Sequence, residues 1–438
     1  MYKLIMLEKT KYDNFVKKHK TKSHFLQSYS WGEFSKLKKN LTPYYMGLID
    51  SNKKIVATAL LLQKKLPMKL SYFYSPRGFV MDYENKEIVQ EMTKKIINFA
   101  KNKKAIFVKI DPDIIINDIN YLNESKELNY DWKEIFNSLK KAGFKHMGFT
   151  KNFETMQPRY SFRVDLTQSI EDIENHFSKT TKQRINKSQK LNTIVEIGTE
   201  KDIKEFYHLM TLTETRKDFV SYNLDYYETL YEIFNGNKNS KATLFLGKVD
   251  IDKTLETFEK ALKNINNQIS ILPIDNLSKS AKNKLNELTR QKDHTKEQIK
   301  KFEKYKEQYG NLVTLSAHMI IEYGDKAWVL YAGNHNILTD TYVNYNTYYE
   351  HLLYCKKEGL KIYEQFGTIG DLSKDNPRIG LHEFKKKFGG DYVEFIGEFD
   401  YIINKPMYFV FTKLVPLYRK IIKNKSKKEL KHEVNRTK

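Results

Sequence analysis

A chain of 438 residues with 40% hydrophobic and 13% aromatic content has room for two or three domains and a large core, which excludes wholesale disorder. Its one cysteine, Cys355, excludes a disulfide framework and a cysteine-based zinc site. With 76 basic against 54 acidic residues the net charge is +22, so nucleic acid, a phospholipid surface or a phosphorylated substrate are natural partners. A lysine-biased composition accounts for the same charge with no partner at all. The scarce arginines are therefore the more informative cations, because a planar guanidinium suits phosphate and carboxylate.

The chain opens without the apolar run of a signal peptide, and no stretch reaches the roughly 18 apolar residues of a spanning helix. A cytoplasmic protein is expected. Helices are predicted at Tyr12 to Lys18 and Ser30 to Lys39, and strands at Tyr44 to Ile49, Ile55 to Leu62 and Leu70 to Tyr74, with Ile55 to Leu62 apolar on both faces and so central. A turn at Ser75-Pro76-Arg77-Gly78 precedes an amphipathic helix from Lys86 to Lys101. The buried strand Ala105 to Ile110 stops at Asp111-Pro112-Asp113, and a helix from Asp131 to Ala142 closes at Gly143.

The second half repeats the order. Helices are predicted at Ile203 to Thr215, Leu224 to Phe234 and Thr341 to Glu358. Strands are predicted at Lys241 to Val249, Leu312 to Glu322, Ala327 to Tyr331 and Lys361 to Glu364. Strand, glycine-bearing loop, long helix and buried strand thus occur twice, at Leu70 to Asp111 and at Ala327 to Gly367, which predicts a duplicated α/β unit. Ser169 to Leu191, a helical stretch crowded with lysine and Arg184, is expected to link the halves. It is either a basic contact surface or a solvated face.

From Asp252 the apolar positions Leu255, Phe258, Leu262, Ile265, Ile269 and Leu272 are spaced 3, 4, 3, 4, 3, as in a coiled coil. After Pro273 the pattern returns through Leu285, Leu288, Ile299 and Phe302, so residues 252–309 are expected to form an antiparallel helical arm about 30 Å long. Asn376 to Asp400 holds a short helix with Lys385, Lys386 and Lys387, a stop at Gly389-Gly390, and a strand through Val393 and Phe395. From Thr412 the tail carries ten basic and two acidic residues. It fits an anionic membrane surface or a helix docked on the body equally well.

His-Glu-x-x-His, Gly-x-Ser-x-Gly, a Walker loop and a strand-borne Gly-x-Gly-x-x-Gly are all absent, so hydrolase, nucleotidase and dehydrogenase chemistry lack support, and no metal or cofactor is expected. Polar groups at strand ends in a duplicated α/β body suit a transferase in which an amine on one substrate attacks an activated acyl group on the other. Such aminolysis needs proximity and oxyanion stabilisation more than a covalent nucleophile. Asp111, ending a buried strand, can accept the amine's proton or serve only as a loop aspartate before Pro112.

Several motifs then carry a resemblance: Phe25-Leu26-Gln27-Ser28-x-x-Trp31, Ser75-Pro76-Arg77-Gly78, Thr213-x-x-Arg216-x-x-Phe219, Tyr331-Ala332-Gly333, and Gly380-Leu381-x-x-Phe384-Lys385-x-x-Phe388-Gly389-Gly390 followed by Ile396-Gly397-Glu398-Phe399. In this order they resemble the Fem family of aminoacyl-tRNA-dependent transferases that build peptidoglycan cross-bridges. The resemblance implies two acetyltransferase-like (GNAT) domains, here 1–155 and 156–399, with 400–438 packing on the first and the arm inserted in the second. It implies transfer of glycine, alanine or serine from aminoacyl-tRNA to a stem-peptide amine of lipid II or its UDP-linked muropeptide precursor, at the inner face of the membrane.

Lys36, with Lys38 as rival, resembles the lysine that binds precursor phosphate, and Arg216 the second phosphate-binding group. Tyr74 and Arg77 resemble the acceptor-side loop, and Tyr331 belongs with the substrate contacts. Lys385 resembles the lysine near the aminoacyl end of the tRNA, where its ammonium would stabilise the oxyanion or the departing ribose oxygen, and Lys386 and Lys387 extend the tRNA-binding surface. The remaining alternatives are aminoacyl transfer to a protein or lipid, and a non-catalytic module that holds RNA or a partner.

Overall fold

The computed structural model describes residues 2–19, 21–217, 221–272 and 278–415, without the side chains of Arg216 and Lys217. In chain order the strands are β1 (Lys3–Met6), β2 (Thr42–Ile49), β3 (Ile55–Lys65), β4 (Ser71–Ser75), β5 (Val80–Met81), β6 (Ala105–Ile110), β7 (Ile115–Ile119) and β8 (Lys145–His146). They continue as β9 (Tyr160–Asp165), β10 (Thr193–Gly198), β11 (Ser240–Asp250), β12 (Leu312–Tyr323), β13 (Lys326–Asn334), β14 (Ile362–Glu364), β15 (Asp391–Phe395) and β16 (Phe399–Ile402).

They form two sheets of one design. The first runs β1-β2-β3-β4-β6-β16-β8 with β5 on β3, and the second runs β10-β11-β12-β13-β14-β9-β15-β7. In each, four antiparallel strands lead to one parallel pair joined by a long helix. β4 pairs with β6 through Ser71↔Ala105 and Tyr74↔Lys109, and β13 with β14 through Lys326↔Ile362 and Trp328↔Glu364. The crossover helices are α3 and α11 in the series α1 (Lys9–Lys18), α2 (Tyr29–Lys39), α3 (Lys86–Asn102), α4 (Trp132–Lys141), α5 (Ile170–Asn175), α6 (Lys179–Lys190), α7 (Ile203–Lys217), α8 (Leu224–Asn235), α9 (Ile251–Ser270), α10 (Lys279–Tyr309), α11 (Val343–Lys357), α12 (Ile379–Lys386) and α13 (Lys405–Phe409). A parallel pair needs such a crossover. The duplicated α/β unit expected from the sequence is therefore present.

The chain exchanges strands between the sheets. β7, from the N-terminal stretch 1–155, pairs with β15 in the second sheet, Val393 facing Asp118. β16 returns from the C-terminal side to pair with β6 in the first, Tyr401 facing Val108. Without β7, β15, which buries Val393 and Phe395, would be an open edge. The stretch 169–191 does not link the halves: β9 precedes it and already lies in the second sheet, and α6 packs on α11.

In the first unit β2 and β3 are closed by a tight turn, with the Asp50 N–H donating to the Lys54 carbonyl at 3.0 Å. In the second, the arm takes the place of that turn. α9 and α10 leave and rejoin where Asp250 faces Leu312, and Ile265, Leu288 and Phe302 are buried along their seam. Beyond β16, Tyr408 and Phe411 pack on Phe107 with ring centroids 5.4 and 5.9 Å away, so 405–415 lies on the first sheet. The rest of the basic tail and the turn at Pro273 lie outside the described residues.

Candidate active site

Parallel strands part at their carboxyl ends, and the crevice there is where α/β sheets place ligands. In the first unit that crevice gathers three of the residues singled out in the sequence. The Tyr74 hydroxyl donates to Asp111 Oδ2 at 2.8 Å, and the Arg77 N–H donates to Asp111 Oδ1 at 2.6 Å. Arg77 adopts a left-handed φ of 53°, which turns its amide towards β6. Its guanidinium donates to the Pro158 carbonyl at 2.6 Å and lies 4.1 Å from the Phe395 ring, while its buried Nε–H has no partner among the described residues. Burial pushes the Asp111 carboxyl up to about 7 against the pull of Arg77 and Tyr74. Burial beside Asp111 also raises Tyr74, so its hydroxyl stays a donor.

The Leu-Gln-Ser motif explains why the 75–78 turn holds its shape. Ser28 caps α2 by accepting from the Trp31 N–H at 3.0 Å. Gln27 accepts from the Leu60 N–H at 2.9 Å and donates to the Pro76 carbonyl at 2.6 Å and Ser75 Oγ at 3.1 Å. A side chain at position 78 would meet Gln27 Nε2 within 2.7 Å, so glycine is required there.

The second parallel pair is organised by Lys385. This lysine is only 6% exposed. Its ammonium donates to the carbonyls of Gln365 and Gly367, at 2.7 and 2.8 Å, and to that of Phe366. Burial lowers it to about 7, with Glu364 opposing. Its three donors are all engaged by the loop after β14, in place of the tRNA or oxyanion contact that the resemblance implies for it. Its neighbours diverge. Lys386 points outward to Asn123 Oδ1 at 2.8 Å, and Lys387 lines a cavity, so the three lysines share no surface. Gly389 and Gly390 are needed because the backbone there passes within side-chain distance of His176 and Arg163.

That cavity, about 870 Å³, lies between the end of β13, the start of α11 and α12. Tyr342, Tyr345, Phe384 and Arg378 line it. Arg184 of α6 reaches over Tyr342 and Tyr345, 5.1 and 4.9 Å from their rings, and Lys187 sits 5.2 Å from the Tyr342 ring. Aromatic faces under guanidinium and ammonium groups make a surface suited to stacked bases and phosphate.

A buried ionic bridge joins the two crevices, and no local sequence pattern announced it. Arg163 of β9 pairs with Asp113 at 3.0 Å and with Glu364 at 2.8 Å. Lys22 donates to the Asp113 carbonyl at 2.8 Å and is pushed down to about 8 by burial, while Lys326 donates to the Ser23 carbonyl at 3.1 Å. Despite its burial, Asp113 is held below the usual carboxylate range by Arg163 and its cationic neighbours. Asp113 follows Asp111 by two residues, and Glu364 precedes the loop that Lys385 holds. The scarcity of arginine was the one signal that could have pointed to Arg163.

The remaining candidates lie elsewhere. Lys36 is exposed on α2 and makes no ion pair among the described residues, whereas its rival Lys38 pairs with Asp225 of α8. Tyr331 is packed with Tyr226, their hydroxyls 3.0 Å apart, and does not line the cavity. Arg216 belongs to the last turn of α7, but its side chain lies outside the described residues. Among the described residues no grouping of histidine, cysteine and carboxylate could hold a metal ion, and no helix is long and apolar enough to cross a membrane.

Two α/β units whose crevices are joined by a buried ionic bridge, with an inserted helical arm, are the architecture of a transferase. The FemAB family profile matches residues 7–415, and the chain belongs to that family. It is similar to the lipid II:glycine glycyltransferase of Staphylococcus epidermidis, 29% identical over 411 residues that cover 92% of this chain and 94% of that protein. The enzyme of the same name from Staphylococcus aureus is 28% identical over 416 residues, with coverage of 92% and 94%. The crystal structure of FemX superposes with a TM-score of 0.75 at 27% identity, covering 93% of this chain and 99% of that one.

Proposed function

We propose that this enzyme transfers an amino acid (glycine, alanine or serine) from aminoacyl-tRNA to an amine of the stem peptide on lipid II, or on its UDP-linked precursor, and so builds the interpeptide bridge. The observation that carries this is Asp111: a buried carboxyl at a crevice, held by Tyr74 and the Arg77 amide, with its pKa moved to about 7. A base poised near neutrality is what aminolysis requires of the protein. The acceptor nitrogen attacks the ester carbonyl, an amide bond forms, the bond to the ribose oxygen breaks, and the amine's proton passes through Asp111 to the departing hydroxyl.

The cavity beside α12 suits the RNA end, through Tyr342, Tyr345 and the cations above them. Lys385 acts as a positioning residue: it fixes the 365–367 loop, and the Arg163 bridge ties that loop to the Asp111 crevice. Lys36, free of ion pairs among the described residues, is the group for precursor phosphate, with Arg216 as its partner. The names of the staphylococcal relatives favour glycine and lipid II.

The test is to incubate the purified protein with charged tRNA pools and with lipid II or UDP-linked precursors bearing different stem peptides, then weigh the products. A mass gain of one amino acid on the stem peptide is expected. Precursor of unchanged mass in every combination refutes the proposal.

A further inference from the structure

Large apolar side chains left in water usually mark a contact surface when they are contiguous. The loop after β8 carries Met147, Phe149, Phe153 and Met156, exposed by 39, 48, 37 and 56%, and Phe409 and Leu414 beyond β16 are exposed by 57 and 46%. The loop and the segment beyond β16 meet at Met147 and Tyr408. The Tyr408 hydroxyl contacts Met147 Sδ at 3.7 Å, and the N–H groups of Met147 and Met156 donate to the Glu398 carbonyl and Oε1 at 2.9 and 2.5 Å. The loop is thus clamped to the first sheet, with Phe149 packed by one side on Phe136 and His146, Phe153 beneath the Arg378 guanidinium, and the rest of their surface and that of Met147 and Met156 exposed.

Cations fringe this face. Lys140, Lys145, Lys151, Lys405 and Lys413 are exposed, against Glu154 as the one carboxylate within 147–156. The chain leaves the same face at Val415 and continues through 416–438 with nine basic and two acidic residues. The loop ends at the crevice, where Pro158 accepts from Arg77.

We infer that this face docks on an anionic phospholipid bilayer, with Met156, Phe149 and Phe409 entering the headgroup boundary and the lysines holding the lipid phosphates. Apolar insertion and a polybasic fringe are the two signals that together give a stable peripheral attachment. In purpose, the inference rests on the proposed function: it brings the Asp111 crevice to the level at which a lipid-linked acceptor presents its headgroup. The charge of the fringe favours this occupant over a second copy of a chain that is itself strongly basic.

The experiment is flotation of the full chain with vesicles of phosphatidylcholine alone or mixed with phosphatidylglycerol, without tRNA or lipid II. Binding is expected only with phosphatidylglycerol and is released by salt. Charge reversal by Lys151→Glu or Lys413→Glu weakens it about fivefold each. The pair Met156→Ser and Phe409→Ser weakens it by about tenfold or more at an unchanged melting temperature. Absence of phosphatidylglycerol-dependent binding overturns the inference, as does undiminished binding of the variants. So does a wild-type dimer in sedimentation that Met156→Ser with Phe409→Ser converts to monomer. Transfer to detergent-solubilised lipid II and to the soluble UDP-linked precursor, assayed in parallel without vesicles, separates the two ideas: failure with both acceptors while vesicle binding is intact removes the proposed function alone, and the reverse removes the docking alone.

Discussion

Replacing Asp111 by Asn separates a working carboxyl from a structural one. Asn keeps an oxygen for the Arg77 amide and offers its NH₂ to the Tyr74 oxygen, so shape and hydrogen bonding survive. In the folded protein the carboxyl titrates near 7, and in the unfolded chain near 3.8. Below about pH 4 both states are protonated and the group is neutral to stability. As the pH rises through this window, the unfolded chain ionises first and the folded state is progressively penalised. The penalty is complete above pH 7 and amounts to about 4 kcal/mol at about 1.36 kcal/mol per unit. Urea unfolding of both proteins at about pH 5 and about pH 8 should therefore show Asp111→Asn gaining stability over wild type, with the larger gain at the higher pH. At about pH 8 its transfer rate should fall by about a hundredfold or more below wild type, and at about pH 5, where the wild-type carboxyl is protonated, the two rates should converge. Equal activity at the higher pH, or a stability difference independent of pH, would refute the assignment of Asp111 as the base.

Removing the Lys385 ammonium by Lys385→Met strands three buried carbonyls and should cost about 2–5 kcal/mol in denaturant unfolding, with transfer lost in proportion to the disordered 365–367 loop. Lys36→Ala should raise KM for the UDP-linked precursor about tenfold and leave stability unchanged, while Lys38→Ala should not, because Lys38 is occupied by Asp225; steady-state kinetics with varied precursor distinguishes them. Arg184→Ala strips the cation from Tyr342 and Tyr345 and should weaken aminoacyl-tRNA binding about tenfold in a filter assay, with KM for the acceptor unmoved.

The parts that were legible in the sequence are those where local pattern and tertiary role agree. The two strand–helix–strand units and the arm announce themselves by period, because each element buries one continuous face. β7, β9 and β10 were not read. β9 alternates Tyr160, Phe162 and Val164 with Ser161, Arg163 and Asp165, but its polar face is covered as well: Ser161 is buried, and Arg163 is compensated by Glu364, some two hundred residues away. β10 is an edge strand, half-exposed along much of its length. β7 is defined by a partner at the other end of the chain. The site divides in the same way. Tyr74, Arg77 and Asp111 sit at strand ends whose parallel pairing follows from the repeat, so their meeting was foreseeable. Three successive lysines look alike in sequence, yet the bare carbonyls at 365–367 take Lys385 inward and leave Lys386 to solvent. That difference belongs to a loop twenty residues earlier in the chain.

Single-turnover transfer with isotope-labelled glycyl-tRNA and lipid II, followed across pH, tests the central claim most directly. Label should move into an amide on the stem peptide, at a rate that rises as a group near 7 loses its proton, and Asp111→Asn should abolish that rise. Label that stays on the tRNA, or a rate whose pH dependence is the same in wild type and Asp111→Asn, would contradict it.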